Sequence, residues 1–213
     1  MKALVTGFEP FGGDTINPAL EAIGLLKSRL GPLQIETRRI PTVFGAAIEA
    51  IEAAIDEVAP DIVLAVGQAG GRTELSLERV AINVDDARIA DNAGQQPIDR
   101  PIVAGGPAAY FATLPIKAAV QAMRNAGLPA AVSNTAGTFV CNHIFYGLMH
   151  GLARRGGGMR GGFLHIPFLP VQAARQRAAA SMALEHIVQG IEIILAVTAS
   201  RQTDLLLAEG EIS

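Results

Sequence analysis

Short apolar runs alternate along the chain with amphipathic helical patterns, and this alternation constrains the fold more than any other feature. The apolar runs, rich in Val, Ile and Leu, cover residues 3–6, 35–40, 61–66, 130–133 and 162–166. The helical patterns cover residues 18–30, 44–58, 115–126 and 141–153. Strands that alternate with helices form a mostly parallel sheet covered on both faces. We therefore predict an α/β fold with three layers, α/β/α, around a mostly parallel twisted central sheet.

The length and the charge of the chain limit its organisation and its partners. The 213 residues contain no linker-like segment and suit one core, so we predict a single domain over 1–213, closed by one long helical segment at 170–199. Every apolar stretch is shorter than the roughly 18 residues of a membrane helix. The first residues enter a strand pattern without a signal peptide, and a single cysteine suits a reducing compartment, so we expect a soluble cytoplasmic protein. A net charge of -3 without a long basic run indicates a small ligand rather than nucleic acid.

Residues 67–106 are polar and rich in turns, unlike the rest of the chain. Their one extended stretch, 75–84, mixes charged with apolar residues. Sites in open α/β sheets form outside the carboxyl ends of the strands, so a long irregular excursion there is a candidate wall of a site. An ordinary surface loop is the alternative.

The only cysteine, Cys141, follows an apolar run and a small polar turn and stands at the start of a helical pattern. Unpaired backbone N–H groups and the positive end of the helix dipole at such a place favour thiolate over thiol. The position therefore suits an activated nucleophile. The alternative is a buried, inert thiol, since free cysteine is often buried.

A cysteine nucleophile needs a base, and His165 is the best placed of the four histidines. His165 ends the run 162–166, so we expect it at the carboxyl edge of the sheet, the edge from which we expect the Cys141 helix to depart. A buried, hydrogen-bonded histidine is the alternative. His143, two residues after Cys141, points to a different face of the helix. His150 suits a helix end, and His186 lies within the C-terminal helical pattern, so both are expected to be structural.

A third group should orient the imidazole, and the polar excursion offers several acids. They are Glu74, Glu78, Asp85, Asp86, Asp91 and Asp99. Glu78 is flanked by apolar residues and is therefore expected to be partly buried. A structural ion pair of Glu78 with Arg79 or Arg88 is the alternative.

The glycine-rich turn at residues 7–13 follows the first predicted strand, where phosphate-binding loops occur. The Gly-x-Gly-x-x-Gly fingerprint is absent and Pro10 removes a backbone donor, so we expect no nucleotide cofactor. Phe8 and Phe11 in this turn suggest an apolar wall of a site, with core packing as the alternative.

Taken together, these motifs resemble those of the pyroglutamyl peptidase I family, the pyrrolidone-carboxylate peptidases, over nearly the whole chain. The family comprises cysteine peptidases that remove an amino-terminal pyroglutamate. The resemblance is carried, in order, by TGFEPFGG at 6–13, NP at 17–18, GQAGGR at 67–72, ERVAIN at 78–83, DARI at 86–89, DN at 91–92, SNTAGTFVCNH at 133–143 and HIP at 165–167.

The resemblance implies a catalytic triad of Cys141, His165 and Glu78, with Arg88 beside the reacting carbonyl. It places Phe8 and Phe11 around the lactam ring of the substrate. Gln68 and the backbone of Val140 fall where family members contact the ring or line the site. It implies no metal and no cofactor. The partners that it implies are peptides or proteins with an N-terminal pyroglutamate, and neither nucleic acid nor a membrane. Microbial members are often tetramers, so a homotetramer is expected.

Two other functions fit the same pattern of residues. One is a phosphorylase-like transferase on a similar α/β fold, in which Arg88 and the glycine turns hold phosphate. The other is a non-catalytic binder of a small molecule with an inert Cys141, which a thiol pKa at or above about 8.5 would favour.

Overall fold

The computed structural model describes residues 1–210, and it has a central sheet between two layers of helices. The strands of the large sheet are β1 (Lys2–Phe8), β2 (Arg29–Leu30), β3 (Leu33–Ile40), β4 (Ile62–Gln68), β5 (Leu75–Glu78), β8 (Ala130–Ser133) and β9 (Arg160–Ile166). The strands β6 (Val80–Ile82) and β7 (Ala109–Phe111) form a separate antiparallel pair. The helices are α1 (Pro18–Gly24), α2 (Ala46–Val58), α3 (Ile116–Asn125), α4 (Val140–Arg155), α5 (Pro170–Ala173) and α6 (Leu184–Ser200).

The seven strands of the large sheet have the order β2-β3-β1-β4-β9-β5-β8. The neighbours from β3 to β9 pair in parallel, as do β5 and β8. Among the described strands of this large sheet, only the β2–β3 and β5–β9 pairs are antiparallel. The prediction of a mostly parallel α/β sheet is therefore confirmed.

Alternate residues of the strands supply two apolar cores, one on each face of the sheet. Ala3 and Val5 pack in the core under α1, α3 and α6, whereas Leu4 between them packs in the core under α2 and α4. Successive side chains of a strand point to opposite faces, so a continuous apolar run such as that of β1 has to be covered on both faces.

The prediction of a single long helical segment over residues 170–199 is wrong. The chain forms the short helix α5, leaves helical geometry, and becomes helical again only at Leu184. Phe168, just before α5, forms a parallel bridge with Ser181, which lies between the two helices, and the Met182 amide donates to the Phe168 carbonyl at 2.9 Å. This backbone pairing is incompatible with a continuous helix, although the Ala-rich sequence favours one.

Two other predicted elements differ in their limits. The helical pattern at 18–30 ends at Gly24, and the chain then enters β2. The extended stretch at 75–84 divides at Arg79, so that β5 belongs to the large sheet and β6 to the small pair. The division at Arg79 leaves Glu78 as the last residue of β5.

The C-terminal segment, residues 201–210, lies back over the start of α3. The Asp204 carboxylate accepts hydrogen bonds from the backbone amides of Lys117 and Ala118 at 3.0 and 2.9 Å, which caps that helix. Glu209 pairs with Arg124 at 2.6 Å, and its carbonyl accepts a bond from the guanidinium of Arg79. The segment therefore connects α3 to the residue that follows Glu78. Among residues 1–210, no helix combines the length and the apolar character needed to cross a membrane.

Candidate active site

Glu78 and His165 meet on one face of the sheet because of the register between β5 and β9. Ser76 is directly opposite His165 in this antiparallel pair, so Glu78, two residues on, projects from the same face as a diagonal neighbour of His165. The Nδ1 atom of His165 lies 2.7 Å from Oε1 of Glu78. Both side chains are buried, with 3% and 0% of their residues exposed.

Cys141 reaches this pair from the helix that covers the same face. It is the second residue of α4, and its Sγ atom lies so close to Gly67 that a Cβ there would be 2.9 Å away. Gly67 is directly beside His165 in the β4–β9 register. The start of α4 therefore brings the thiol to the level of His165, and both residues line one cleft.

The route by which Cys141 arrives differs from the expectation. The strand before it, β8, runs parallel to β5 and hence antiparallel to β9, so its carboxyl end is not at the edge where His165 lies. Residues 134–139 connect the end of β8 to the start of α4. The meeting of Cys141 and His165 was predicted, but the strand directions that we used to predict it were wrong.

Seven of the eight predicted site residues line two adjoining cavities, and the eighth, Glu78, lies behind His165. The larger cavity is a cleft of about 690 Å³ whose lining includes Phe11, Gln68, Arg88, Cys141 and His165. The smaller is a narrow space of about 10 Å³, lined by Phe8, Phe11, Asn17, Thr42, Gln68, Phe139, Val140 and Cys141. A space of this size holds about one water molecule, so the apolar side chains around the smaller cavity pack closely against one another.

The surroundings of Cys141 and His165 favour the neutral form of both groups. Burial, and next the charge of Glu78, raise the pKa of the Cys141 thiol to about 12, against an opposing effect of Arg72. Burial lowers the pKa of His165, and the hydrogen bond that His165 donates to Glu78 opposes this shift. The expected resting thiolate is therefore not supported, because burial and the charge of Glu78 both disfavour it. Taken alone, this pKa favours the alternative of an inert thiol.

Arg72 is a contributor to the site that the sequence analysis missed. Its Nη2 atom lies 3.0 Å from Oε1 of Glu78 and donates to the Thr135 carbonyl at 2.9 Å. The alternative of an ion pair at Glu78 was thus correct as to the type of interaction, but it named Arg79 or Arg88 instead of Arg72. Arg79 bonds to Asn134 instead, and Arg88 is exposed in the cleft without a partner among residues 1–210. The second oxygen of Glu78, Oε2, is buried without a partner among the same residues.

The two residues that directly follow Cys141 attach α4 to the polar segment 67–106, which carries Arg88. The Asn142 side chain bonds to the amide and the carbonyl of Ile82 at 3.0 and 2.9 Å. His143 points away from the thiol, as predicted, and its Nδ1 bonds to Asp85 at 2.8 Å. Its Nε2 accepts from the Gly45 amide, so the imidazole is neutral with its proton on Nδ1.

The remaining histidines lie outside the cleft. His150 bonds through Nδ1 to the Tyr110 hydroxyl at 2.9 Å, and His186 is exposed on α6. No group of three or more His, Cys, Asp or Glu residues within 1–210 is arranged to hold a metal ion.

The start of α4 lies beside the cleft, and its first amides have no side-chain cap among residues 1–210. Its N-cap residue is Phe139, whose side chain makes no capping hydrogen bond, and the first amides of a helix have no acceptor within it. The other helix at this site, α1, differs, since the Asn17 side chain caps it at 3.0 Å. The uncapped α4 amides, beside Cys141, are suited to bind a developing negative charge.

Known proteins are similar to this chain over nearly its whole length. A sequence model described as pyroglutamyl peptidase matches residues 1–202. A pyrrolidone-carboxylate peptidase of Cupriavidus pinatubonensis is 60% identical over 211 residues, covering 98% of each chain. One of Brevibacillus brevis is 55% identical over 213 residues, covering 99% of this chain and 98% of its own.

Solved structures agree with the sequence relatives. The crystal structure of pyroglutamyl peptidase I from Bacillus amyloliquefaciens superposes with a TM-score of 0.94 at 47% identity, over 97% of this chain and 99% of its own. A mutant pyrrolidone carboxyl peptidase from Pyrococcus furiosus superposes with a TM-score of 0.91 at 41% identity, over 94% and 99%. With a family model that matches residues 1–202, relatives of matching length and a matching fold, this chain belongs to the pyroglutamyl peptidase family.

Proposed function

We propose that this protein is a cysteine peptidase that hydrolyses the amide bond after an N-terminal pyroglutamyl residue and releases free pyroglutamate, 5-oxoproline. Family membership supports the reaction. The observation that carries the assignment to residues is the 2.7 Å contact between His165 Nδ1 and Glu78 Oε1, beside the cleft that also holds Cys141. The proposed catalytic residues are therefore Cys141, His165 and Glu78.

Glu78 sets the tautomer of His165 in this mechanism. The carboxylate accepts a hydrogen bond from Nδ1–H and so keeps the proton on Nδ1, which leaves Nε2 without a proton and able to act as a base. Because the thiol and the imidazole are both neutral at rest, His165 takes the proton of Cys141 as sulfur attacks the carbonyl carbon of the pyroglutamyl residue. The imidazolium that forms is then stabilised by the negative charge of Glu78.

The tetrahedral intermediate carries a negative charge on the former carbonyl oxygen. The unpaired amides at the start of α4 and the guanidinium of Arg88 are its proposed donors. In comparable sites the loss of one such donor costs about 3–4 kcal/mol of transition-state stabilisation.

The reaction is then completed in two stages, release of the amine and hydrolysis of the thioester. The C–N bond breaks, and the departing amine takes the proton from His165, which leaves a thioester between Cys141 and the pyroglutamyl group. A water molecule gives a proton to His165 and attacks the thioester. The C–S bond breaks, the sulfur regains the proton, and pyroglutamate leaves. These steps use only side chains, backbone amides and water, so we propose no cofactor or metal.

The narrow cavity is the proposed site of the lactam ring. Phe8, Phe11 and the backbone of Val140 would form its wall, with Gln68 as a polar contact. The ring is neutral, so an apolar cavity with few polar groups suits it better than an acidic one would. Phe11, Gln68 and Cys141 line both cavities, so a shift of Phe11 would open the narrow space to the cleft.

We also propose that residues 1–213 act as a single domain that assembles as a homotetramer in the cytoplasm. The two apolar cores on one sheet support a single folding unit, and the family resemblance supports the tetramer. The proposed substrates are peptides or proteins with an N-terminal pyroglutamate. Neither nucleic acid nor a membrane is a proposed partner, which is in keeping with the net charge of -3.

The direct test is the release of a fluorogenic amine from a pyroglutamyl amide by the purified, reduced protein. Cys141→Ala and His165→Ala should abolish turnover with the fold retained, and an unblocked glutamyl amide should not be cleaved. Inactivity of the folded wild type would refute the proposal. Phosphate-dependent cleavage of a nucleoside would instead favour a transferase, and ligand binding without turnover would favour a non-catalytic binder.

A further inference from the structure

Gln172, in the short helix α5, is a buried side chain with three hydrogen-bond partners. Its Oε1 accepts from the backbone amide of Leu169 at 3.0 Å. Its Nε2 lies 3.1 Å from a carboxylate oxygen of Asp14 and 3.0 Å from Oε1 of Gln68. Only 5% of Gln172 is exposed. The residue therefore joins α5 to the end of β4 and to the turn after β1.

The partners of Gln172 determine the orientation of its amide. A backbone N–H can only donate, so the atom of Gln172 that faces Leu169 has to be oxygen. An ionised carboxylate can only accept, so the atom that faces Asp14 has to be nitrogen. That same nitrogen donates to Gln68, which means that Gln68 is held with its oxygen towards Gln172. The Gln68 amide nitrogen has no partner among residues 1–210 and stays available to donate.

The other polar side chains around the narrow cavity are already engaged. Asn17 accepts from the Ala19 amide with Oδ1 and donates to the Glu9 carbonyl with Nδ2. Thr42 donates to the same carbonyl at 2.9 Å. The rest of the lining consists of three phenylalanines, Val140 and Cys141. Gln68 is thus the side-chain amide in this lining that keeps an unused donor.

We propose that Gln172 is a positioning residue for substrate specificity, because it fixes the amide of Gln68 so that the cavity presents a donor to the ring carbonyl of the substrate. A lactam ring has this acceptor, whereas the otherwise similar ring of proline does not. A site built to bond a polar group rejects the analogue that lacks it, since its own polar group then stays unpaired. This inference rests on the proposed function and adds to it the residue that selects the lactam.

The most direct test reverses the direction of the hydrogen bond between residue 172 and Gln68. In Gln172→Glu, the carboxylate still accepts from Leu169 but can no longer donate to Gln68, so the Gln68 amide turns and presents its oxygen to the cavity. Asp14→Asn is added in a second variant to remove the like charge beside the new carboxylate. Gln176→Glu, at an exposed position in the following turn, is the matched control for the negative charge that Gln172→Glu introduces by itself.

We expect KM for a pyroglutamyl amide to rise about ten- to a hundredfold in Gln172→Glu/Asp14→Asn, with kcat within about threefold of the wild type. The inhibition constant of 2-pyrrolidone, the lactam ring alone, should rise in parallel. Gln176→Glu should match the wild type in both. The rate of Cys141 alkylation by iodoacetamide should be unchanged in all variants, because the thiol itself is not altered.

An unchanged inhibition constant for 2-pyrrolidone in the double variant would overturn the inference, as would an equal loss in Gln176→Glu. If the double variant does not fold, Gln172→Met replaces it, since Met is similar in size and leaves the Gln68 amide free to rotate. KM should then rise about two- to fivefold, and a wild-type KM would overturn the inference. An inactive wild type would refute the proposed function instead, so the two failures are distinguishable.

Discussion

Gly67→Ala should disable the site with a single methyl group. An added Cβ would lie 2.7 Å from Cζ of Phe163 and 2.9 Å from Sγ of Cys141. Ordinary contacts are about 3.5–4.0 Å, so each neighbour has to withdraw by about 0.6 Å or more. Phe163 is fully buried, and its ring centroid is 4.8 Å from that of His165 and 5.8 Å from that of Phe145. Any movement of Phe163 is therefore passed on to its aromatic neighbours.

The size of the effect follows from this crowding. An extra methyl in a well-packed core costs about 1–3 kcal/mol. In a protein of this size each kcal/mol lowers Tm by about 2–4 °C. A displacement of about 1 Å between reacting groups lowers kcat about a hundredfold. We therefore expect a fall of kcat by one to two orders of magnitude together with a lower Tm.

The assay is steady-state hydrolysis of a pyroglutamyl amide, with thermal unfolding measured on the same preparation. Gly24→Ala is the matched control, because a Cβ at Gly24, the last residue of α1, meets no atom within 4 Å. The control should keep wild-type kcat and an equal or slightly higher Tm. If Gly67→Ala keeps both wild-type values, the crowding argument is refuted.

Three further changes test other parts of the structure. Glu78→Gln should lower kcat roughly 10²- to 10⁴-fold with an intact fold, because an amide can stabilise the wrong tautomer of His165; unchanged turnover would remove Glu78 from the triad. Arg72→Gln should move the acid limb of kcat/KM to higher pH, since the charge of Arg72 lowers the pKa of His165; Arg72→Lys should move it less, and a shift to lower pH would contradict this reasoning. Asp204→Ala should cost about 0.5–2 kcal/mol of stability through the lost cap of α3, seen as a lower Tm at unchanged kcat; lost turnover at an unchanged Tm would contradict it.

The sheet and its covering helices could be predicted because buried parallel strands leave a strong local pattern. β1, β4 and β9 consist largely of buried apolar residues, and α4 begins within one residue of the predicted position. The direction of β5 and β8 could not be predicted in this way, because it depends on pairing between distant segments. The same limit applies to residues 174–183, where the bridge between Phe168 and Ser181 overrides local helix propensity.

The site was predictable to the extent that its residues lie within distinctive motifs. Seven of the eight predicted residues line adjoining cavities, because the fold brings those motifs to one place. Arg72 lies in such a motif, but its contact with Glu78 crosses from a loop to a strand. Gln172 is a common residue in an Ala-rich segment, and only its three partners distinguish it.

The contacts of residues 201–210 have a practical consequence for chain length. A polypeptide shortened at residue 202 would still contain every side chain that lines the cleft, yet it would lack the cap of α3 and the Glu209 carbonyl that holds Arg79. Arg79 directly follows Glu78, so the loosened end would be one peptide unit from the proposed triad. Trimming for crystallisation, or joining a reporter domain at this end, should therefore leave Asp204 and Glu209 in place.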